Sequence, residues 1–225
     1  MANRVLQIAG ASSDPSVVLA GVKAFPVTKL ILLYEERDAK AAADVVAALA
    51  PHQCEVERRL IQGPPLTQVL TVMAAVARED ALHFDDVLVN VTAADKMLSC
   101  SLMSAAFVHG LRAFAVQAGE PIQLPVLKFA YRDMISGSKM NILRALERAG
   151  GGVDSLNDLS EMSGVEKSLL SYHIRGGRDA KGLEELSLVS IERAKQGRLM
   201  VSLTEMGRLI LLGGDETRAP PPARP

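Results

Sequence analysis

Two short polar segments in the first half of the chain have residue types suited to an anionic small molecule. One runs from Ala9 to Ser16 and is rich in small and hydroxyl residues; the other runs from Asn90 to Lys96. Small residues let a ligand approach the backbone, and both segments precede helical patterns whose free N–H groups can bind an anion. The candidate ligand-binding residues are Gly10, Ala11, Ser12, Ser13, Asn90, Thr92, Ala93, Ala94, Asp95 and Lys96.

The specificity of this pattern is limited. The first segment is not Gly-x-Gly-x-x-Gly, so the dinucleotide fingerprint is absent. Lys96 could supply a point charge, and Asn90 and Thr92 could hydrogen-bond a sugar or phosphate. Each segment taken alone could equally be a plain connection between a strand and a helix.

The elements around these segments alternate between strand and helix patterns. Strand patterns cover Val5–Ala9, Lys29–Tyr34, Cys54–Ile61, Asp86–Thr92 and Leu111–Gln117, with helix patterns at Pro15–Phe25, Asp38–Leu49, Pro64–Val76 and Asp95–His109 between them. Such alternation predicts a doubly wound, Rossmann-like parallel α/β sheet, which we expect in the strand order 3-2-1-4-5. Both polar segments then lie at the switch point between strands 1 and 4, where doubly wound sheets bind ligands. Ile122–Tyr131 is either a sixth strand or a linker.

The pattern changes after Ser136. Helix patterns at Ser138–Ala149, after Ser155, and at Glu166–Arg175 are followed by two strand patterns joined by a turn at Ala194–Gly197, and Thr204 begins a last helix. This order is typical of a winged helix-turn-helix. We therefore predict a ligand-sensing and dimerisation domain at 1–135, a winged helix-turn-helix at 136–212, and a disordered tail at 213–225.

The third helix and the hairpin of the second domain carry the residues that would contact double-stranded DNA. Polar side chains on an anchored helix can read the major groove, and cations at the hairpin tip can contact phosphates. We expect Leu169, Leu170 and Ile174 to hold this helix against the core. The candidate DNA-binding residues are Lys167, Ser168, Ser171, Tyr172, His173, Arg175, Arg193, Lys195 and Arg198. A module used only for protein contacts is the alternative.

Both halves resemble known families. NVTAADKMLSCSLMSAAFVHGLRAFAV resembles the second motif of CRISPR-associated Rossmann-fold (CARF) domains, with agreement at Asn90, Thr92 and Lys96. VEKSLLSYHIRGG, KGLEELSLV and LTEMGRLIL resemble winged helices of bacterial and archaeal regulators. The resemblance implies a homodimeric transcription regulator that binds a cyclic oligoadenylate, such as cyclic tetra-adenylate, across its two-fold axis. Some members of that family cleave the ligand, so a ring nuclease that uses Ser12, Ser13, Thr92 and Lys96 is the alternative. We favour binding without turnover.

The composition of the chain excludes several classes of function. The 225 residues carry 25 Lys and Arg against 26 Asp and Glu, so nucleic-acid binding would need a local basic patch. Two cysteines, Cys54 and Cys100, favour a reducing compartment, and no apolar run spans a bilayer, so we expect a cytoplasmic protein. No spacing of His and Cys matches a zinc site, and no catalytic set or cofactor motif stands out. We thus expect no metal, no cofactor and no enzyme activity.

Overall fold

The computed structural model describes residues 4–11, 14–25, 27–52, 54–76, 83–125, 135–177, 180–193 and 199–213. Backbone contacts divide the chain into two compact units, the first built from residues before 132 and the second from residues 132–214. The predicted disordered tail lies, from residue 214 onwards, outside the described residues. In the described part of the chain, no helix is long and apolar enough to cross a membrane.

The first unit is a layered α/β structure. Its strands are β1 (Val5–Gly10), β2 (Val27–Tyr34), β3 (Glu55–Leu60), β4 (Asp86–Asn90), β5 (Arg112–Gln117) and β6 (Glu120–Gln123), and its helices are α1 (Pro15–Ala24), α2 (Ala39–Leu49), α3 (Pro65–Ala75) and α4 (Lys96–His109). The six strands form one sheet in the order β3-β2-β1-β4-β5-β6, and the first five are parallel. The predicted α/β class and the strand order 3-2-1-4-5 are confirmed.

The last strand differs from the expectation. β6 runs antiparallel to β5 and begins at Glu120, whereas the pattern placed a sixth strand or a linker at Ile122–Tyr131. Ala118 and Gly119 both have positive φ, 53° and 85°, so the chain reverses within two residues and β6 starts at once. Residues 126–131 of the predicted segment lie outside the described residues.

Helices cover both faces of the central strands. All six residues of β1 are buried, as expected for a parallel strand with helices on either side. Ala9 belongs to a core cluster that includes Val18 of α1 and Val45 of α2. Gly10 instead approaches Leu98 of α4, and because successive residues of a strand point to opposite faces, α4 lies on the other side of the sheet.

The second unit combines four helices with a small sheet. The elements are α5 (Gly137–Arg148), β7 (Gly152–Val153), α6 (Leu156–Ser163), α7 (Lys167–Arg175), β8 (Val189–Arg193), β9 (Leu199–Leu203) and α8 (Glu205–Gly213). The strands pair antiparallel in the order β7-β9-β8. Ser155 and Thr204 begin α6 and α8 as predicted: their hydroxyls accept hydrogen bonds from the N–H groups of Asp158 (3.3 Å) and Gly207 (3.0 Å). The predicted turn at Ala194–Gly197 lies outside the described residues.

Candidate functional site

The carboxyl ends of β1 and β4 lie side by side, and the two predicted segments meet there; this switch point of the sheet is called the crevice below. Ala9 of β1 pairs with Asn90 of β4, so the chains leave the sheet side by side. A Cβ on Gly10 would lie 2.5 Å from Cβ of Ala94 and 3.0 Å from Cδ2 of Leu98. Only glycine therefore permits this approach of the first strand to the segment that opens α4.

The polar side chains at the end of β4 hold their own loop. Asn90 is fully buried, and its Oδ1 accepts a hydrogen bond from the N–H of Thr92 (3.1 Å). The Thr92 hydroxyl accepts one from the N–H of Val116 on β5 (2.6 Å). These bonds fix the backbone after β4, and they occupy two atoms that the sequence suggested for sugar or phosphate.

The rest of the second segment begins α4. Asp95 is the N-cap, and its Oδ1 accepts a hydrogen bond from the N–H of Leu98 (2.8 Å). Ala93 is buried, Ala94 is half-buried, and Lys96 is exposed. The acidic side chain of Asp95 therefore stabilises α4, because a carboxylate at a helix N-terminus is favourable.

The first segment is only partly described. Ala11 is buried, and its N–H donates to the carbonyl of Leu33 on β2 (2.7 Å). Asp14 caps α1 by accepting hydrogen bonds from the hydroxyl (2.6 Å) and the N–H (3.0 Å) of Ser16, and these bonds lower the pKa of its carboxyl. Ser12 and Ser13 lie outside the described residues.

Arg37 is a residue at this site that the sequence analysis missed. It follows β2, and its guanidinium pairs with Oδ2 of Asp95, with Glu35 (2.8 Å) and with Asp38 (3.6 Å). The negative charge of Glu35, followed by the smaller effects of Asp95 and Asp38, raises the pKa of Arg37 despite some desolvation. The signal in the sequence was the charged run Glu35–Asp38 directly after a buried strand next to the switch point.

A buried polar pair lies beneath the crevice on the α1 side and was also missed. The side-chain amides of Gln7 and Asn90 are fully buried, and both polar atoms of Gln7 and Nδ2 of Asn90 have no hydrogen-bond partner among the described residues. A Cβ on Gly21 would lie 2.5 Å from Asn90 Nδ2 and 3.1 Å from Gln7 Nε2. Glycine on α1 therefore makes room for a polar pair in a core that is otherwise apolar, and a glutamine within an apolar strand was the available signal.

The second candidate region is the outer face of α7. The side chains of Lys167, Ser168, Ser171 and Arg175 are exposed, and none forms a hydrogen bond or ion pair with another described residue. Leu170 and Ile174 are buried and anchor the helix. Leu169 does not, contrary to the expectation: it is 49% exposed, because a helix brings residues four apart, such as 170 and 174, onto one face and turns residue 169 away.

The remaining predicted residues of this region differ in their surroundings. Tyr172 is 42% exposed, and its ring lies 5.7 Å from that of His173. His173 is half-buried; burial, followed by the nearby charge of Lys139, lowers the pKa of its imidazole. The side chain of Arg193, and all of Lys195 and Arg198, lie outside the described residues.

The C-terminal end of α7 is fixed by the chain that follows. The carbonyls of His173 and Ile174 accept hydrogen bonds from the N–H groups of Leu183 and Glu184, each at 2.9 Å. Leu183 is fully buried. These bonds satisfy carbonyls that a helix end would otherwise leave without partners, so α7 is held at its end as well as along its length. Within the described residues, no group of three or more His, Cys, Asp or Glu is arranged to hold a metal ion.

Solved structures similar to this chain include the following three proteins. A type III CRISPR defence DNA nuclease activated by cyclic oligoadenylate matches 52% of the chain at 19% identity with a TM-score of 0.46. Csm6 of Enterococcus italicus, bound to cyclic hexa-2′-fluoro-hexa-dAMP, matches 72% at 12% identity with a TM-score of 0.47. Can2 of Sulfobacillus thermosulfidooxidans, in complex with cyclic tetra-adenylate, matches 93% at 12% identity with a TM-score of 0.44. The chain spans 19%, 51% and 64% of these three proteins, less than two thirds of each.

Sequence comparison gives a relative of similar length and a family. An uncharacterized protein of Archaeoglobus fulgidus is 26% identical over 215 residues, which cover 90% of this chain and 95% of the relative. The model of the family described as HFX_2341_N:-like, N-terminal matches residues 5–120, just over half of the chain and nearly all of the β1–β6 sheet. The chain therefore belongs to the HFX_2341_N:-like family.

Proposed function

We propose that this protein is a ligand-responsive transcription regulator. In this proposal the second unit is a winged helix-turn-helix that binds double-stranded DNA through α7 and the β8–β9 hairpin, and the crevice of the first unit binds a nucleotide-type ligand. One observation carries the proposal: α7 is anchored by Leu170 and Ile174 and presents Lys167, Ser168, Ser171 and Arg175 to solvent without partners among the described residues.

The arrangement of the second unit supports the DNA-binding half of the proposal. α6 ends at Ser163, and Gly164, with a φ of 66°, makes the tight turn into α7. A three-stranded antiparallel sheet completes the unit. In a helix-turn-helix, the helix after such a turn enters the major groove and its side chains contact base edges. Lysine and arginine on that helix recognise guanine or phosphate, and serine can bond to several bases.

The crevice supports the ligand-binding half. It lies at the switch point between β1 and β4, the usual ligand site of doubly wound sheets. Lys96 is exposed at the start of α4, where helix N–H groups and a positive charge favour an anion. Because the Asn90–Lys96 segment resembles a CARF motif, we propose a cyclic oligoadenylate as the ligand. Cyclic tetra-adenylate is the compound with which to test it.

We propose further that the protein works as a homodimer. A ring of repeated nucleotides has rotational symmetry that a two-fold pair of crevices can match, and paired recognition helices match a pseudo-palindromic DNA site. Met97, next to Lys96, is 61% exposed, which leaves an apolar side chain beside the crevice available to a second copy. Analytical ultracentrifugation tests this: a dimer is expected, and a monomer at micromolar concentration would contradict it.

We expect the ligand to be bound without being cleaved. Thr92, a candidate for aligning a ribose hydroxyl, already accepts a hydrogen bond from the N–H of Val116, and Asn90 is buried beneath the loop. Incubation of labelled cyclic tetra-adenylate with the protein should return the intact ring. Linear product would instead favour the alternative, a ring nuclease that carries the second unit as an accessory.

An apolar feature of α7 favours a second candidate, a protein-contact module. Leu169 and Tyr172 are three residues apart and 49% and 42% exposed, so they form a small apolar patch on the face that would approach DNA. Thymine methyl groups can cover such a patch, but so can another protein. A mobility shift with DNA separates the two candidates, because only the DNA-binding module forms a complex.

Two measurements test the proposed function. A mobility shift with the DNA upstream of the protein's own gene should show binding tighter than to random DNA of equal length, with an affinity that falls steeply with salt. Calorimetric titration with cyclic tetra-adenylate should give saturable heat. Absence of any DNA complex at low salt would leave the protein-contact candidate, and absence of heat at high micromolar ligand would remove this ligand.

A further inference from the structure

The ion pair between Arg37 and Asp95 crosses the mouth of the crevice. Arg37 follows β2, Asp95 follows β4, and β1 lies between these two strands in the sheet. The side chains therefore meet over the carboxyl end of β1, where a ligand at the switch point would lie. Arg37 is 60% exposed, so its guanidinium is accessible from solvent while it contacts Asp95.

The charges around Arg37 are unfavourable for an anionic ligand unless this pair changes. Four carboxylates and two cations lie on the turn after β2 and at the start of α4: Glu35, Glu36, Arg37, Asp38, Asp95 and Lys96. Three of the carboxylates contact the single guanidinium. These six groups carry a net negative charge, so a phosphate that enters the crevice needs direct contact with a cation, and in this structure the guanidinium of Arg37 is held by carboxylates.

Asp95 can release Arg37 without losing its own place. Its Oδ1 caps α4 through the N–H of Leu98 at 2.8 Å, and only Oδ2 contacts Arg37. A guanidinium is a planar fork that binds phosphate in the same two-bond geometry as carboxylate. A ligand phosphate can therefore take over the position of the carboxylate on Arg37 while the α4 cap stays formed.

A second ion pair, at the amino ends of the strands of the same sheet, differs from the pair between Arg37 and Asp95. Arg112 and Asp86 pair at the amino ends of β5 and β4, where Asp86 is the only carboxylate with which Arg112 forms an ion pair among the described residues. That pair joins two neighbouring strands directly and crosses no strand end. It has the features of a simple surface ion pair, and Arg37 does not.

We propose that Arg37 is the cation that binds a phosphate of the ligand, and that Asp95 holds it in the ligand-free protein. This inference rests on the proposed function, because it assumes an anionic nucleotide in the crevice. Binding exchanges the Asp95 carboxylate for a ligand phosphate on the same guanidinium. The exchange frees the turn after β2 from the start of α4, which gives the crevice two states that differ in their contacts with the ligand.

Substitution of Arg37 and substitution of Asp95 should change the affinity for the ligand in opposite directions, and the test uses this difference. In calorimetry with cyclic tetra-adenylate, Arg37→Ala should weaken binding by about tenfold or more, since a charge-assisted hydrogen bond to the ligand is lost. Asp95→Asn should tighten it by about threefold, because the competing negative charge is removed while asparagine still caps the helix. Asp95→Ser, also a good cap, is a second variant should the first fail to fold. Arg112→Ala is the matched control and should bind like the natural protein.

The results of these titrations test the role of Arg37 and the identity of the ligand separately. Weaker binding in both Arg37→Ala and Asp95→Asn would show that the pair only clamps the loops together, and would overturn the inference while the proposed ligand stands. Unchanged binding in Arg37→Ala would overturn it as well. Failure of the natural protein to bind cyclic tetra-adenylate would instead overturn the proposed ligand, and the inference with it. Thermal melts without ligand show whether each variant is folded.

Discussion

The two candidate binding regions use their polar side chains in different ways. At the crevice, Asn90, Thr92, Asp95 and Arg37 are all engaged with other parts of the protein. On α7, the side chains of Lys167, Ser168, Ser171 and Arg175 have no polar partner among the described residues. We call the crevice the closed region, because its polar side chains contact other parts of the protein, and the outer face of α7 the open region.

This difference indicates how binding at each region would be controlled. A ligand entering the crevice must replace contacts that already exist, so its binding is tied to a rearrangement of the loops. DNA that reaches α7 replaces only water and counterions, which makes that step depend on salt more than on protein rearrangement. In the proposed regulator, this division would place the conformational change at the ligand site and leave a preformed surface for DNA.

The largest expected effect concerns the open region. Replacing Lys167 and Arg175 together by alanine should weaken DNA binding by about tenfold or more and reduce the slope of log affinity against log salt by about 2, because two phosphate or base contacts are lost. Fluorescence anisotropy over a salt series measures both quantities. Arg208→Ala, which replaces an exposed cation on α8, outside the elements proposed to contact DNA, is the control. Equal losses in the control and the double variant would mean that α7 is not the contact surface.

The next effect concerns the close approach at the crevice. Gly10→Ala should destabilise the first unit by about 1–3 kcal/mol, because its Cβ would overlap Ala94 and the segment around residue 94 must move. Gly137→Ala, where a Cβ would meet no atom within 4 Å, should change stability by no more than about 0.5 kcal/mol. Urea unfolding followed by circular dichroism compares the two. A neutral Gly10→Ala would indicate that the two loops do not pack as described.

A smaller effect tests the hydrogen bonds directly. Thr92→Val should cost about 1–2 kcal/mol of unfolding free energy, since the N–H of Val116 loses its acceptor in a partly buried position. Ser171→Ala on α7 should stay within about 0.5 kcal/mol, because its hydroxyl has no described partner. Similar costs for both variants would remove the contrast between the closed and the open region.

The smallest effect is a pH dependence of the second unit. The pKa of His173 lies below its ordinary value of 6.5, mainly because of burial, so the folded form binds fewer protons than the unfolded form. Its contribution to stability is therefore complete above about pH 6.5 and declines as the pH falls below that value. Urea midpoints between pH 5 and pH 7.5 should show this slope, and His173→Gln should reduce it.

The fold could be predicted from the sequence because its signals are local. Apolar runs such as those of β1 and β2 alternate with helical patterns, and capping residues such as Ser155 and Thr204 indicate where helices begin. The position of the crevice follows from strand order alone. The early start of β6 was missed because it depends on Ala118, a residue that rarely adopts the positive φ of that turn.

The details of the site could not be predicted, because they depend on contacts between residues far apart in the chain. Arg37 and Asp95 are 58 residues apart and meet only because β2 and β4 flank β1. The role of Gly21 depends likewise on Gln7 and Asn90 from two different strands. Helical periodicity places Leu170 and Ile174 on one face and Leu169 outside it, but which face is buried depends on the orientation of α7 against its neighbours.

In the proposed regulator, ligand binding in the crevice changes the affinity of α7 for DNA. The direct test is the dissociation constant for the upstream DNA, measured by fluorescence anisotropy at fixed salt with and without saturating cyclic tetra-adenylate. We expect the dissociation constant to change by about fivefold or more, as is usual for coupled sites, and the affinity for the ligand to change by the same factor when DNA is present. Identical DNA affinity with and without bound ligand would contradict it.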